Sequence, residues 1–335
     1  MSDAFLAGLS DDLLFATVLL YALAMLGFAG EQASRRSHRI SQSSLAAVTA
    51  RQATAARTRV MAGAGGPAVP EPGSLQVASA PRSSRAGRAG LALTVVGAVV
   101  HLGSVLTRGF AANRVPWGNM YEFSSAVALS VVVIFLVLLL AGRVDRGLGA
   151  FLMVPVVLYL GLAGTVLYTA AGPLVPALDS YWIKIHVFAA VLSSGAFLLS
   201  GILALLYLLR SRHDAQVDAG RSPRFPLSMG SALPGAAALD RVTYAVIAFA
   251  FPIWTFAIIA GAIWAESAWG RYWGWDPKET WSFITWVLYA GYLHARATAG
   301  WKGTKSAWIA VAAAGALIID YYVVNIFVVG FHSYA

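Results

Sequence analysis

The chain contains no cysteine. A disulfide, a thiolate metal site and a thiol relay are therefore excluded, and any thiol chemistry beside it belongs to a partner. Charge is scarce too. Only 12% of the 335 residues are Asp, Glu, Lys or Arg, against about 25% in an ordinary soluble domain. With 59% apolar residues and a mean hydropathy of +0.69, that deficit places the chain in lipid rather than water. A basic leader is missing as well. The first apolar run follows Asp3, Asp11 and Asp12, so no cleavable signal peptide is expected.

What is present is a series of long apolar runs. A helix crosses the roughly 30 Å hydrocarbon core with about 20 such residues. Runs near 11–29, 91–107, 124–141, 149–167, 183–209, 241–263, 280–296 and 306–329 predict an all-α, polytopic membrane helix bundle of about eight transmembrane helices. Pro155 and Pro252 fall inside runs, which membrane helices tolerate.

The net charge of +9 would suggest nucleic acid in a soluble protein, but the positions of the charges point elsewhere. Segment 30–90 carries nine arginines, and the loops at 142–148, 210–241 and 296–305 carry two, five and three basic residues. Nineteen of the 24 basic residues thus lie on one set of alternate loops, leaving Arg108, Arg114, Lys184, Arg271 and Lys278 opposite. Basic loops stay on the cytoplasmic side, so both termini are expected outside and no nucleic-acid partner is implied. Residues 1–29 read as an outer terminus and first span. Residues 30–90, rich in Ala, Ser, Gly, Pro and Arg, read as a disordered or loosely helical cytoplasmic insertion able to lean on anionic lipid. Residues 91–335 read as a seven-helix membrane domain.

One outer loop, 264–281, is unusual. Trp264, Trp269, Trp273, Trp275, Trp281 and Trp286, on it or just beyond it, are six of the eleven tryptophans. Trp269 and Trp273 are spaced i, i+4, which a helical turn would bring to one face. Gly270 and Gly274 leave room for a flat object. Asp276-Pro277 reads as a helix start. Two readings stand: an aromatic belt at the lipid–water interface, and a platform for a large planar ligand. On the second, Trp269, Trp273, Trp275 and Asp276 form the surface while Trp264 and Trp286 anchor helix ends.

Histidines sharpen the choice. His38 and His213 sit beside arginines in cytoplasmic loops and read as solvated. His186 and His332 fall at the outer ends of the fifth and eighth spans, level with the Trp-rich loop, and together suit axial ligation of haem iron. His294 lies about 20 Å below Trp281 and His101 about 15 Å up from the inner end of its span at the helical rise. They form a possible second, deeper pair, although their depths differ by roughly 10 Å. For His101 a hydrogen bond to a neighbouring helix is an equal alternative. A second outer motif, R-V-P-W-G-N-M-Y-E at 114–122, reads either as a helix-starting turn with Glu122 at the positive helix end or as part of a ligand site.

The string W-G-R-Y-W-G-W-D at 269–276 resembles the tryptophan-rich signature of haem-handling cytochrome c maturation proteins. With W-G-N-M-Y-E at 117–122, W-I-K-I-H-V at 182–187, Y-L-H at 292–294 and G-F-H-S-Y at 330–334, the chain is similar over about 91–335 to the CcsA/ResC family, the haem-handling subunit of the system II cytochrome c synthase. The resemblance implies that haem b, as substrate, lies against the Trp-rich loop between His186 and His332. There its vinyl groups meet the thiols of an apocytochrome C-x-x-C-H segment. It also implies a membrane partner of the ResB/CcsB type, a thiol-reductant protein, and an inner haem held by His294 with a histidine of the partner, which leaves His101 without that role. Arg271, Lys278 or Arg114 would suit the haem propionates, and surface placement accounts for the same residues. An energy-transducing plasma or thylakoid-type membrane is the implied location. The rivals are a proton- or metal-coupled transporter, which would show broken helices in repeated positions, a bis-histidine membrane cytochrome, and a pure scaffold.

The charge asymmetry gives a direct test. Single cysteines at Ser43 and Ser267 in this cysteine-free chain should react with an impermeant maleimide from opposite sides of the membrane. Labelling from one side would reject the topology.

Overall fold

In a computed structural model, residues 2–61, 85–173 and 180–332 are described, with the backbone alone for 36–47 and 49–61. Helices account for nearly all of them: α1 (Asp3–Met61), α2 (Arg85–Ala111), α3 (Met120–Leu140), α4 (Leu148–Thr165), α5 (Tyr181–Asp218), α6 (Ala236–Trp269), α7 (Pro277–Ala297) and α8 (Thr304–Ile318). From α8 the chain continues through a π turn, Ile319–Val323, into a last helical turn, Val324–Phe327. Each apolar run read from the sequence falls on one of these helices. α1 runs on to Met61, so the first half of the Arg-rich insertion is helical, while its residues 62–84 lie outside the described residues.

Among the described residues, seven helices are long and apolar enough to cross a membrane: all but α7, with α8 counted through Phe327. α7 has 21 residues but a mixed sequence that opens on Pro-Lys-Glu and alternates polar and aromatic positions, and it packs beside α6 and α8. The outward surface is that of a protein in lipid. Phe15, Val99, Leu140, Leu158 and Phe188 are all more than 60% exposed, whereas serines and threonines are buried. The chain is a multi-pass membrane protein.

Packing follows the rules of a medium that offers no hydrophobic drive between helices: small residues allow close approach, and polar side chains join the helices. α1 and α2 meet where a Cβ on Gly27 would lie 2.9 Å from the Gly90 backbone. Higher up, Ser10 and Ser104 each donate to the other's carbonyl, at 2.9 and 2.8 Å. α5 is the central helix, touching α3, α6 and α8. A Cβ on its Gly201 would press on Ala314, 2.6 Å away, and one on Gly195 would collide with Ser130. Where α6 and α7 meet, Arg296 forks onto Asp240 at 2.6 and 3.0 Å. Pro155 and Pro252 lie inside α4 and α6, which continue through them.

His101 belongs to this polar joinery. Fully buried, it lies between Tyr21 Oη, 3.4 Å from Nδ1, and Ser125 Oγ, 3.0 Å from Nε2, so one ring joins α1, α2 and α3. His213 departs from its sequence reading. Half-buried rather than solvated, it lies 3.2 Å from Asp214 and packs on Gly230, where any side chain would collide with the ring. Nothing is described for the side chain of His38.

Replacing His101 by Ala should weaken the α1–α2–α3 junction by about 1–2 kcal/mol, the range of an interhelical polar contact in lipid. Gln, which still bonds, should recover part of the loss. The check is the midpoint of detergent-induced unfolding; a wild-type midpoint for the Ala variant would mean that the ring is not a structural link.

Candidate functional site

The ends of α3, α5, α6, α7 and α8 that bear the sequence's outer motifs surround a cleft enclosing about 1400 Å³, open mouth included. His186 and His332 both line it, with Trp117, Trp264, Trp273 and Tyr272 among the aromatic walls.

His186 sits in the second turn of α5, and its Nδ1 is 2.7 Å from the carbonyl of Ala257 on α6. A carbonyl only accepts, so Nδ1 carries the proton and the lone pair is on Nε2. Gly261 makes this possible, since a Cβ there would come within 2.7 Å of the imidazole. His332 follows the last helical turn, and its Nδ1 is 2.9 Å from Asp276 Oδ2, which fixes the same tautomer. The ring is flanked by Trp264 and Trp269, edge-on, with centroids at 5.8 and 4.7 Å.

Asp276 does more than receive His332. Its other oxygen accepts the Phe331 N–H at 2.8 Å, and the same carboxylate accepts from Lys278 N–H at the start of α7. Glu279 returns the favour, taking the Asp276 and Gly274 N–H groups at 3.1 and 2.8 Å, which completes a capping box. Burial pushes the Asp276 carboxyl up, but the Phe331 N–H and the His332 imidazole outweigh it and hold the group below the usual carboxylate range. Burial lowers His332, and its pairing with Asp276 recovers only part of the shift, which works against protonation of the imidazole.

A family model described as cytochrome C assembly protein matches residues 117–332, a stretch that begins at cavity-lining Trp117 and ends at His332. Proteins named "Cytochrome c biogenesis protein CcsA" are similar to most of the chain. The one from Guillardia theta is 36% identical over 240 residues, covering 68% of this chain and 79% of its own. That from Synechococcus elongatus is 34% identical over 284 residues, covering 74% and 86%. The chain belongs to the CcsA family.

Within that family frame, the tryptophans sort differently from their sequence reading. α6 ends at Trp269, and Gly270 caps it in the left-handed region at φ 70°, so residues 270–276 form a loop and Trp269 and Trp273 share no helical face. Trp273 lines the cavity, while Trp269 stands behind His332. Trp264 is no interfacial anchor; it is 1% exposed and part of the wall. Trp286 donates to Thr255 at 2.9 Å and stacks on Phe283. Trp275, at φ 58°, is 65% exposed and edges against Trp273. Gly274 leaves room for the Arg271 guanidinium, which a Cβ would strike.

Glu122 lies in the first turn of α3, as its reading as a helix-start carboxylate expects, and is also buried and held by two arginines. Arg108 Nε lies at 3.2 Å and Arg114 at 2.6 Å, with the Gly118 N–H at 2.9 Å, while the Asn119 side chain caps α3. Arg114 also donates to Gly172 O at 2.9 Å and Arg108 to Thr169 O, so neither is placed to meet a ligand's acid group. The turn 114–122 is thus braced from behind while Trp117, Asn119 and Met120 face the cavity. His294 lies away from this site, exposed in the last turn of α7, at the far end of that helix from Asp276. His101 and His294 do not meet. The sequence reading missed Asp320, buried in the π turn and lining the cavity; its signal was an acid inside an apolar span.

Asp276→Ala should free the C-terminal segment and uncap α7, the latter costing about 1 kcal/mol. Hydrogen exchange at the Phe331 amide should accelerate at least about tenfold, as expected when a buried charge-assisted bond is lost. Unchanged protection there would show that the carboxylate is not the clamp.

Proposed function

We propose that this chain binds haem b in the outer cavity and presents it for covalent attachment to apocytochrome c. The observation that carries the reading is the pair of imidazoles on one aromatic-walled cavity, each with Nδ1 held by an acceptor and hence a lone pair on Nε2. That is the arrangement a bis-histidine axial site needs, with orientation supplied by the Ala257 carbonyl and the Asp276 carboxylate. Trp264 and Trp273 offer the area a planar porphyrin covers, and the burial that lowers His332 favours ligation over protonation.

In attachment each cysteine S–H of the C-x-x-C-H segment adds across a vinyl group. A C–S bond forms, the vinyl π bond is consumed, and the hydrogen goes to the other vinyl carbon. Nothing is oxidised or reduced, so the residues of this chain need only orient the porphyrin and leave its edge accessible. Thiol reduction falls to a separate reductant protein, consistent with a chain that has no cysteine of its own. A membrane partner of the ResB/CcsB type completes the synthase. His294, exposed on α7, supplies one ligand for an inner haem and the partner the other. His101, engaged on both ring nitrogens by Tyr21 and Ser125, serves packing.

The purified protein should show a Soret band and, on reduction, split α and β bands. His186→Ala and His332→Ala should each lower bound haem and cytochrome c maturation by about tenfold or more, the scale on which metal sites respond to lost support. Added imidazole should restore part of the His186→Ala loss by filling the vacated position. Full haem content and full maturation in both variants would reject the ligand assignment.

A further inference from the structure

Three outer cations were candidates for the acidic edge of a ligand, and their surroundings separate them. Arg114 is committed to Glu122. Arg271 lies over the Phe331 and Trp269 rings, at 4.9 and 6.0 Å, 3.6 Å from Glu279 and off the cavity wall. Lys278 alone of the three lines the cavity.

Lys278 is held on the cavity wall by two hydrogen bonds and lies over the Tyr321 ring, 5.1 Å from its centroid. Its Nζ donates to the backbone carbonyl of Asp320 at 3.0 Å and to Asn325 Oδ1 at 3.1 Å. The first bond depends on the π turn. In a regular helix Val324 N–H would bond Asp320 O, but here it bonds Ile319 O, five residues back, and the Asp320 carbonyl is turned to Lys278. An ammonium has three donors, so two anchor it to α8 and its continuation and one remains. Beside it the Asp320 side chain is 3% exposed, lines the same cavity, and has an oxygen, Oδ1, with no hydrogen-bond partner. A buried ammonium with a donor left over is costly unless an acceptor meets it, and the Asp320 carboxylate is the acceptor of this wall nearest in sequence to its anchors.

We propose that Lys278 is the carboxyl-recognition residue of the outer cavity, taking one propionate of the porphyrin through its remaining N–H, with Asp320 as the adjacent charge that limits how tightly any carboxylate is held. This rests on the haem reading above and adds to it which edge of the porphyrin faces α8. Asp320 is a positioning residue: its carbonyl fixes the ammonium, and its carboxylate competes with the ligand's for the same cation.

The test compares haemin with haemin dimethyl ester, in which both propionates are masked, by Soret titration of the full-length protein in detergent. Wild type should bind the diacid about tenfold more tightly than the ester, the value of one charge-assisted hydrogen bond in a partly shielded site. Lys278→Gln should bring the two affinities together by weakening the diacid alone, with the bis-imidazole spectrum of the ester complex unchanged. Asp320→Asn, which keeps the backbone carbonyl and removes the competing charge, should widen the preference for the diacid. Equal affinity of wild type for both porphyrins would overturn the proposal and leave the haem site standing, as would a Lys278→Gln protein that keeps the wild-type ratio. If Lys278→Gln does not accumulate, a narrowed preference in Asp320→Asn overturns it. Binding of neither porphyrin by wild type would overturn the haem reading and this one together.

Discussion

The Asp276 carboxylate fastens two stretches of chain that are far apart in sequence, the start of α7 and the segment 331–332. One oxygen holds the Phe331 amide, the other meets His332, and the same group starts α7. The position of His332 against Trp264 and Trp269 therefore follows from a helix cap. A charged acceptor is well suited to this task. Hydrogen bonds to an ionised carboxylate are about twice as strong as neutral ones, and at a helix N-terminus the backbone dipoles favour the negative charge further. Glu279 frees Asp276 for its outward bonds by taking the Gly274 and Asp276 amides onto its own Oε2. The Trp-rich loop is short because both its ends are fixed: Gly270 ends α6 in the left-handed region, and Asp276 begins α7 six residues later.

Lipid imposes the second constraint. With no water to fall back on, each buried polar group in the bundle needs a partner; hydroxyls such as Thr17, Thr94 and Ser193 bond carbonyls of their own helix, and others reach a neighbouring helix. Ser10 with Ser104, His101 with Tyr21 and Ser125, and Tyr321 with the Met120 carbonyl at 2.7 Å each fix the relation of two or more helices. The Arg108–Glu122–Arg114 group does the same at the end of the bundle where α2 and α3 join. The glycines of α1, α2 and α5 remove side chains where backbones or rings approach, so the polar pairs come within bonding distance. A rigid frame of this kind lets a few residues at its rim be held in one geometry without a second layer of protein around them.

Much of the fold was legible from hydropathy, because a span's length is set by the bilayer and leaves a long signature. α7 was the exception. Its polar and aromatic positions alternate too closely to mark a span by composition, yet packing against α6 and α8 gives it a place in the bundle. At the site, the histidines were legible as residues in or beside spans, and their convergence followed from counting spans. Three things were hidden. The break of α6 at Gly270 overrode the i, i+4 spacing of Trp269 and Trp273, because a glycine in the left-handed region ends a helix whatever side chains surround it. Trp264 reads like an interfacial anchor, and only the return of the C-terminal segment past it makes it wall. His101 and His186 look alike in sequence, each a histidine in an apolar run. They differ in that His101 has partners for both ring nitrogens, whereas the carbonyl at His186 engages Nδ1 and sets the lone pair on Nε2.

That difference extends to the cavity as a whole. Beside it, a second space between α3, α4, α5 and the α8 end is lined mostly by Val, Leu, Ile, Ala and Tyr side chains, and the two share the Phe123 and Tyr321 rings together with Ser194 and Leu317. Those two rings are stacked, 4.6 Å between centroids and 23° from parallel, with the Tyr321 hydroxyl tied to the Met120 carbonyl. Above the stack stand Lys278, Asp320, Asn325, His186 and His332; below it the polar atoms are tyrosine and serine hydroxyls, several of which bond one another. Polarity thus changes within one stacked pair along the bundle. On the proposed reading, a molecule with an apolar body, a metal that accepts nitrogen ligands and an acidic edge finds its partners above that boundary, since no histidine or lysine lines the space below it.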